Sequence, residues 1–390
     1  MNLRDLSSVK ERRKALEKEL GVTASHIGNF SFDEEIASTK HCENMIGATQ
    51  IPLGVAGPLQ IKNSSIRQAQ DKKLKIQSYY VPLATTEGAL IASVNRGCKI
   101  ISESGGATVA VYKEGTTRGP VFYTGSLEKS KALHSWIVKN ESLLQQTAAS
   151  TSGHLQCKKI SVQMLADYVF IRFSFDTEDA MGMNMVTIAT QKMSELIEKK
   201  TGATCLAVAG NFDIDKKPAW LNVISHRGLT VWADVIVKKE AIENILKTTS
   251  EKIFDVWLAK CMIGSAISGS LGFNAHFANV IAAIFLATGQ DPAHVVEASC
   301  GVTTAKVLPN GDLYFSIYLP ALMMGTVGGG TELATQKEAL EILGVAGKGK
   351  IERFAEIIAG AVLAGELSLL ASLAEGTLAK THQKLGRGKK

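Results

Sequence analysis

Between Gly119-Pro120 and Asp215 the hydrophobic pattern switches repeatedly between strand and helix periods, and that order constrains the fold more than any other stretch. Short runs rich in β-branched and aromatic residues at 121–123, 159–165, 168–175 and 204–209 read as strands. Apolar residues at helical spacing over about 127–146 and 186–199 read as two helices between them. The resulting order is β-α-β-β-α-β, enough to close a small sheet against two helices. Punctuated by Gly119-Pro120 at one end and Pro218 at the other, it reads as a compact unit inserted into a larger body.

That order is the ferredoxin-like, split βαβ pattern, and it makes the chain α+β. With 390 residues there is room for two or three domains and a large core. Outside the inserted unit, residues 3–20 read as a surface helix, and Ser31-Phe32-Asp33-Glu34 as a capping box opening a second. Residues 51–59, punctuated by Pro52, Gly54, Gly57 and Pro58, read as a turn between layers. Residues 87–101 read as a buried helix capped near Thr85-Thr86. Strands at 229–237 and 313–319, a helix over 240–258, a small-residue helical region over 264–288 and a final helix over 351–380 complete the reading.

Composition excludes some functions. A net charge of +6, much of it in the tail residues Lys384, Arg387, Lys389 and Lys390, leaves the body nearly neutral. With aromatics at 6%, a basic face interleaved with aromatics is absent, so no nucleic-acid partner is expected. Cys42, Cys98, Cys157, Cys205, Cys261 and Cys300 form no CxxC pair, which argues against a metal site and for reduced, packed thiols. The N-terminus lacks an apolar signal core, and the apolar runs at 277–288 and 357–364 fall short of the ~20 residues a span needs. The expectation is a soluble, cytoplasmic protein with no membrane partner.

Four polar blocks carry the chemistry: Thr85-Thr86-Glu87-Gly88, Asp215-Lys216-Lys217-Pro218, Gly289-Gln290-Asp291-Pro292 and Thr381-His382. Each sets a titratable residue beside glycine, proline or small residues, where a turn can aim it at a ligand. Two carboxylates, a lysine and a histidine make a proton-transfer and oxyanion set. Taken singly, each has a plainer explanation: a solvated lysine turn, a helix-start glutamate, a tail histidine. Asp179-Ala180-Met181-Gly182-Met183-Asn184-Met185 joins a strand to a helix, where exposed amides favour an anion such as a pyrophosphate. Gly325 to Thr331 is a second glycine-rich approach. No GxGxxG follows any predicted strand, so a Rossmann cofactor site is disfavoured.

Together these blocks, with Glu43-Asn44-Met45-Ile46-Gly47, Pro52 to Pro58, Asn95-Arg96-Gly97-Cys98, Thr117-Arg118-Gly119-Pro120, Asn274-Ala275-His276 and Leu363 to Leu369, closely resemble the catalytic region of the 3-hydroxy-3-methylglutaryl-CoA (HMG-CoA) reductases of the eukaryotic and archaeal class, class I. The resemblance implies a helical N-terminal segment (1–55) and a large substrate-binding domain around a long central helix (56–119 and 219–390). It also implies a small cofactor domain (120–206) and a connecting catalytic loop (207–218). It implies reduction of HMG-CoA to mevalonate and CoA by two NADPH, with NADH the alternative, in a homodimer or homotetramer with interfacial sites. Glu87, Lys216, Asp291 and His382 would be catalytic. Arg118, Asp215, Lys217, Lys260 and Asn279 would meet the substrate, with Ser93, Asn95 and Arg96 toward CoA. Asp179, Met181, Gly182, Met183, Asn184, Val327, Gly328 and Ser152 would meet the cofactor, and no metal is implied. The chain departs from the pattern at Ala209, where many members carry serine, and in Gly269 to Asn274, where one glycine of a pair is missing. At Gly153 many NADPH users carry arginine, and Lys158 or Lys159 would have to compensate.

Overall fold

A computed structural model of the chain describes residues 6–20, 28–62 and 76–376. Its strands are β1 Leu53–Lys62, β2 Ile76–Ala84, β3 Ala107–Arg118, β4 Val121–Tyr123, β5 Gln156–Leu165, β6 Tyr168–Asp176, β7 Thr204–Ala207, β8 Gly228–Val237, β9 Val302–Val307 and β10 Leu313–Leu322. The strands of the inserted unit pair in the order β7-β4-β6-β5, every neighbour antiparallel. Its helices pack a separate core of Phe122, Leu133, Ile137, Phe173, Phe175, Val186 and Met193 against that sheet. The predicted 127–146 helix is two, Leu127–Lys139 and Glu141–Ala149, because Asn140 ends the first and turns its side-chain amide back to the Trp136 carbonyl.

β3 joins the two units. Its early residues pair with β8 and its last three with β6, with a register shift between Lys113 and Gly115 where the strand passes from one sheet to the other. The larger sheet runs β3-β8-β10-β9, with β1 on the outer edge of β3 and β2 beyond it. Residues 51–59 are therefore mostly strand. Gly57-Pro58 sits at a bulge in the β1–β2 ladder, between Ala56 and Leu59, the position where a strand tolerates proline.

Helix Ile351–Glu375 is the axis of the larger unit. Its residues from Phe354 to Ser368 are all buried, so it is enclosed on every side, as a core helix is, and all but Glu356, Glu366 and Ser368 of them are apolar or glycine. By length and hydropathy it passes for a membrane span, but 83% of its apolar window is buried inside the protein. Helix Leu90–Glu103 packs on it through Gly97, where an added Cβ would lie 1.9 Å from the Ala364 carbonyl oxygen. One carboxylate in this core is fully buried. Glu366 accepts from the amides of Ala275 and His276 at 2.8 and 2.6 Å and from the Thr303 hydroxyl at 2.7 Å. It thereby ties the segment just before helix Phe277–Thr288 to the core helix.

Other helices differ from the sequence reading. Helix Leu90–Glu103 starts three residues after Glu87, because the Thr85 hydroxyl accepts the Glu87 amide in a turn and Ala89 takes a left-handed conformation. Asp33, not Ser31, caps the helix Glu34–Lys40. The predicted 240–258 helix is interrupted at 247–249, and wide π-turns occupy Ile242–Leu246 and Leu258–Gly264. The 264–288 region breaks over 269–276.

Candidate active site

The loop between β7 and the short helix Trp220–Ser225 carries Asp213, Asp215, Lys216 and Lys217. Asn211, Ile214 and Lys216 all have positive φ, at 64°, 55° and 56°. Such backbone costs on the order of 1 kcal/mol or more for a β-branched or long residue, so surrounding contacts must hold it. The Thr117 hydroxyl donates to the Asp213 carbonyl, the Asn222 amide to that of Ile214, and the Lys216 amide to Glu297 Oε1 at 3.3 Å. The strain turns the Lys216 side chain to Asp291: Nζ and Oδ2 are 2.6 Å apart.

Asp291 follows the Gly289 that ends helix Phe277–Thr288, and its carboxylate accepts the Ala293 amide at 3.0 Å. Burial raises the Asp291 pKa, but the Lys216 and Ala293 hydrogen bonds and the nearby His294 and Lys216 charges outweigh it. Its carboxyl lies below the ordinary range. The pair sets a lysine side chain beside an ionised acid.

Glu87 lies elsewhere on the same surface. Its Oε2 accepts from Asn279 Nδ2 at 2.6 Å, so two predicted site residues meet directly. Among the described residues no ion pair joins Glu87 to Lys216 or Asp291. Asn279 lines both the 200 Å³ cavity around Glu87, Ser93 and Arg96 and a 930 Å³ cavity bounded by Lys260, Pro218 and His276. Of the residues expected toward CoA, Ser93 and Arg96 bond Ser368 of the core helix, and Arg96 also reaches Ser372. The Asn95 side-chain oxygen Oδ1 accepts from the Gly57 amide. Lys217 folds back on the Asp215 carbonyl at 3.1 Å. His382 lies outside the described residues.

Arg118 faces inward. It bonds Asp213 at 3.1 Å, lies 3.6 Å from Asp215, and donates to Thr187. Burial pushes the Asp213 carboxyl up, with Arg118 pulling the other way. Beneath this lies a group that sequence reading missed. The fully buried Arg227 bonds Asp215 at 2.8 Å and Glu297 at 2.5 Å, and His294 Nδ1 bonds Glu297 at 2.7 Å. Asp215, His294 and Glu297 bring donor atoms within 4.8 Å of one another, close enough for a metal ion, but the Arg227 guanidinium already bonds both acids there. One signal was available. Asp291, His294 and Glu297 recur every third residue, which aligns them on one face of a tight helix.

The third cavity, about 450 Å³, is lined by Met181, Gly182, Met183, Asn184, Val327 and Gly328, and by Asp291 itself. The cofactor-type surface and the lysine–acid pair therefore share a wall. At Gly182 φ is +80° and a Cβ would lie 2.4 Å from Thr177, so only glycine fits. Gly182 offers helix Met183–Thr201 no side-chain cap, and Met183, Asn184 and Met185 of its first turn line the cavity. Asp179 is occupied differently, since its carboxylate accepts the amides of Gly349, Lys350 and Ile351 and so caps the core helix. Ser152 contacts Met185, a lining residue, at 3.8 Å. The lysines expected to offset Gly153 are both engaged, Lys158 with Asp176 at 2.8 Å and Lys159 with Glu114 at 3.6 Å.

The sequence profile of the family described as hydroxymethylglutaryl-coenzyme A reductase matches residues 8–387. The chain belongs to that family. It is 51% identical over 382 residues to the 3-hydroxy-3-methylglutaryl-coenzyme A reductase of Methanothermobacter thermautotrophicus, covering 98% of this chain and 94% of the relative. It is also 51% identical to the enzyme of the same name from Methanocaldococcus jannaschii, covering 96% and 92%. Its fold matches the class II 3-hydroxy-3-methylglutaryl-CoA reductase of Streptococcus pneumoniae bound to NADPH, with a TM-score of 0.70 and 18% identity, over 95% of this chain and 99% of that one.

Proposed function

We propose that the chain reduces HMG-CoA to mevalonate and CoA in two hydride transfers from NADPH. The observation that carries this is the 2.6 Å Lys216–Asp291 pair on the wall of the cavity lined by Met181, Gly182, Asn184, Val327 and Gly328. Those residues would hold the dinucleotide, its pyrophosphate on the first amides of helix Met183–Thr201. A bound reduced nicotinamide supplies the hydride at each step.

The chain's own groups do the rest. As the thioester carbonyl is reduced, Lys216 stabilises the oxyanion, and Asp291 orients it. The hemithioacetal then collapses, and His382 protonates the departing thiolate. Mevaldehyde is reduced next, with Glu87 giving a proton to the new alkoxide and Asn279 orienting it. Lys217 and Lys260, both exposed, are the cations for the substrate carboxylate. Arg118 supports the loop through Asp213 and Asp215 in addition to any substrate contact.

The blocks from Glu43 to Leu369 and the archaeal relatives at 51% identity support the eukaryotic and archaeal class. Assembly as a homodimer or homotetramer fits a site whose fourth member, His382, comes from the chain's end. Six free thiols, Cys98, Cys157 and Cys261 pushed up to about 12 by burial, fit a reducing cytoplasm. The test is nicotinamide absorbance with HMG-CoA and either nucleotide. Oxidation of NADPH with release of a thiol is expected, and strong preference for NADH would overturn the cofactor assignment.

A further inference from the structure

Behind the Lys216–Asp291 pair, His294 has no solvent exposure and sits between two carboxylates, bonding one of them. Its Nδ1 lies 2.7 Å from Glu297 Oε1, and its Nε2 lies 3.9 Å from Asp291 Oδ2 with no hydrogen-bond partner. Glu297 is equally buried, and its Oε1 collects three donors: Arg227 Nη1, His294 Nδ1 and the amide of Lys216. A carboxylate can only accept, so Nδ1 carries the proton toward Glu297 and Nε2 is turned to Asp291. A buried ring nitrogen without a partner costs free energy comparable to a lost hydrogen bond. It persists here beside the acid that pairs with the Lys216 ammonium.

We propose that His294 is a positioning residue for the reaction, linking Glu297 to Asp291 and so fixing the acid that aims Lys216. The inference rests on the reading of Lys216 and Asp291 as the oxyanion pair. Two restraints act on Lys216. Glu297 holds its backbone in the left-handed conformation through the amide, and Asp291 holds its Nζ. His294 spans both restraints, being 2.7 Å from one acid and 3.9 Å from the other. A hydrogen bond across the second gap needs a proton on Nε2 as well as on Nδ1, and with both the ring completes a carboxylate–imidazolium–carboxylate chain; apo contacts of this kind are commonly long. The charged groups facing the imidazole are Asp215, which lies 3.8 Å from Nδ1, together with Asp291 and Glu297; Arg227 and Lys216 neutralise those acids. The lowered Asp291 pKa is in keeping with this setting, where burial is outweighed by Lys216, Ala293 and His294.

The test uses His294→Asn and His294→Gln in the full chain. An asparagine amide can replace Nδ1 toward Glu297 but is too short to reach Asp291, whereas glutamine reaches farther. His294→Asn should lower kcat about 10- to 100-fold with both HMG-CoA and mevaldehyde, because Lys216 serves both reductions, with KM changed by less than about twofold. His294→Gln should recover part of that loss. Circular dichroism and thermal melting check that both variants fold. A folded His294→Asn protein with wild-type kcat on both substrates overturns the inference, as does a loss confined to the melting midpoint. Loss of kcat on HMG-CoA alone also overturns it, since that pattern belongs to thiolate release. A wild-type protein inactive on both substrates would instead overturn the reading of the site, and this inference with it.

Discussion

Replacing Gly97 by alanine opposes two effects of known size. Gly97 is inside helix Leu90–Glu103, so by helix propensity alone alanine would stabilise the protein by about 1 kcal/mol. Packing says the reverse. The new Cβ would meet the Ala364 carbonyl oxygen at 1.9 Å, its carbon at 2.4 Å and its Cα at 2.7 Å, all backbone of the core helix. Those atoms cannot rotate away, and the nearest contact is roughly 1.5 Å shorter than ordinary van der Waals separation, so the helices must part. Overpacking of this kind costs about 3 kcal/mol, giving a net loss of about 2 kcal/mol. The displacement would reach the site, because Glu87 lies just before this helix and bonds Asn279 across the cleft. A misplacement of about 1 Å there lowers kcat by about 100-fold. Urea denaturation and HMG-CoA-dependent nicotinamide oxidation measure both. A Gly97→Ala protein as stable as the wild type would refute the packing argument.

Other expectations follow from single contacts. Glu366→Leu would strand the Ala275 and His276 amides and the Thr303 hydroxyl, costing about 3 kcal/mol or more by denaturant titration. A cost under about 1 kcal/mol would mean water replaces the carboxylate. His382→Gln should slow HMG-CoA reduction far more than mevaldehyde reduction, and equal slowing would remove histidine from thiolate release. Asp176, drawn both ways by burial and by Lys113 and Lys158, has its pKa lowered to about 2. A depressed carboxyl contributes stability that is full above its unfolded pKa of about 4 and is lost as pH falls toward the folded value. Asp176→Asn should therefore flatten the stability curve between about pH 4 and 2, and an unchanged slope would count against the pairing.

What the sequence made legible were local signals. The succession of elements in the inserted unit was visible because each has a clean period; the pairing order of its strands was not read from the sequence. The Lys216 and Asp291 blocks were visible because punctuated turns hold charged residues in otherwise apolar surroundings. β1 was hidden because Gly57-Pro58 makes a bulge look like a turn. The two sheets meet on β3, whose change of partner depends on contacts far along the chain. The contacts of Asp179 were hidden for a related reason. In sequence it belongs to the glycine–methionine turn, but its carboxylate caps a helix beginning at Ile351. Arg227, Glu297 and Glu366 were missed because a buried charge resembles a surface charge until its partners are known. His294 and Glu297 differ in that their positions three and six residues after Asp291 do carry a local signal.

The stoichiometry of one reaction, measured in wild type and in Lys216→Ala, tests the lysine-centred mechanism most directly. The wild type should oxidise two reduced nicotinamides for each thiol released from HMG-CoA, and a folded Lys216→Ala protein should show no detectable oxidation with HMG-CoA or mevaldehyde. Appreciable turnover without that lysine, or a wild type that leaves HMG-CoA untouched, would contradict it.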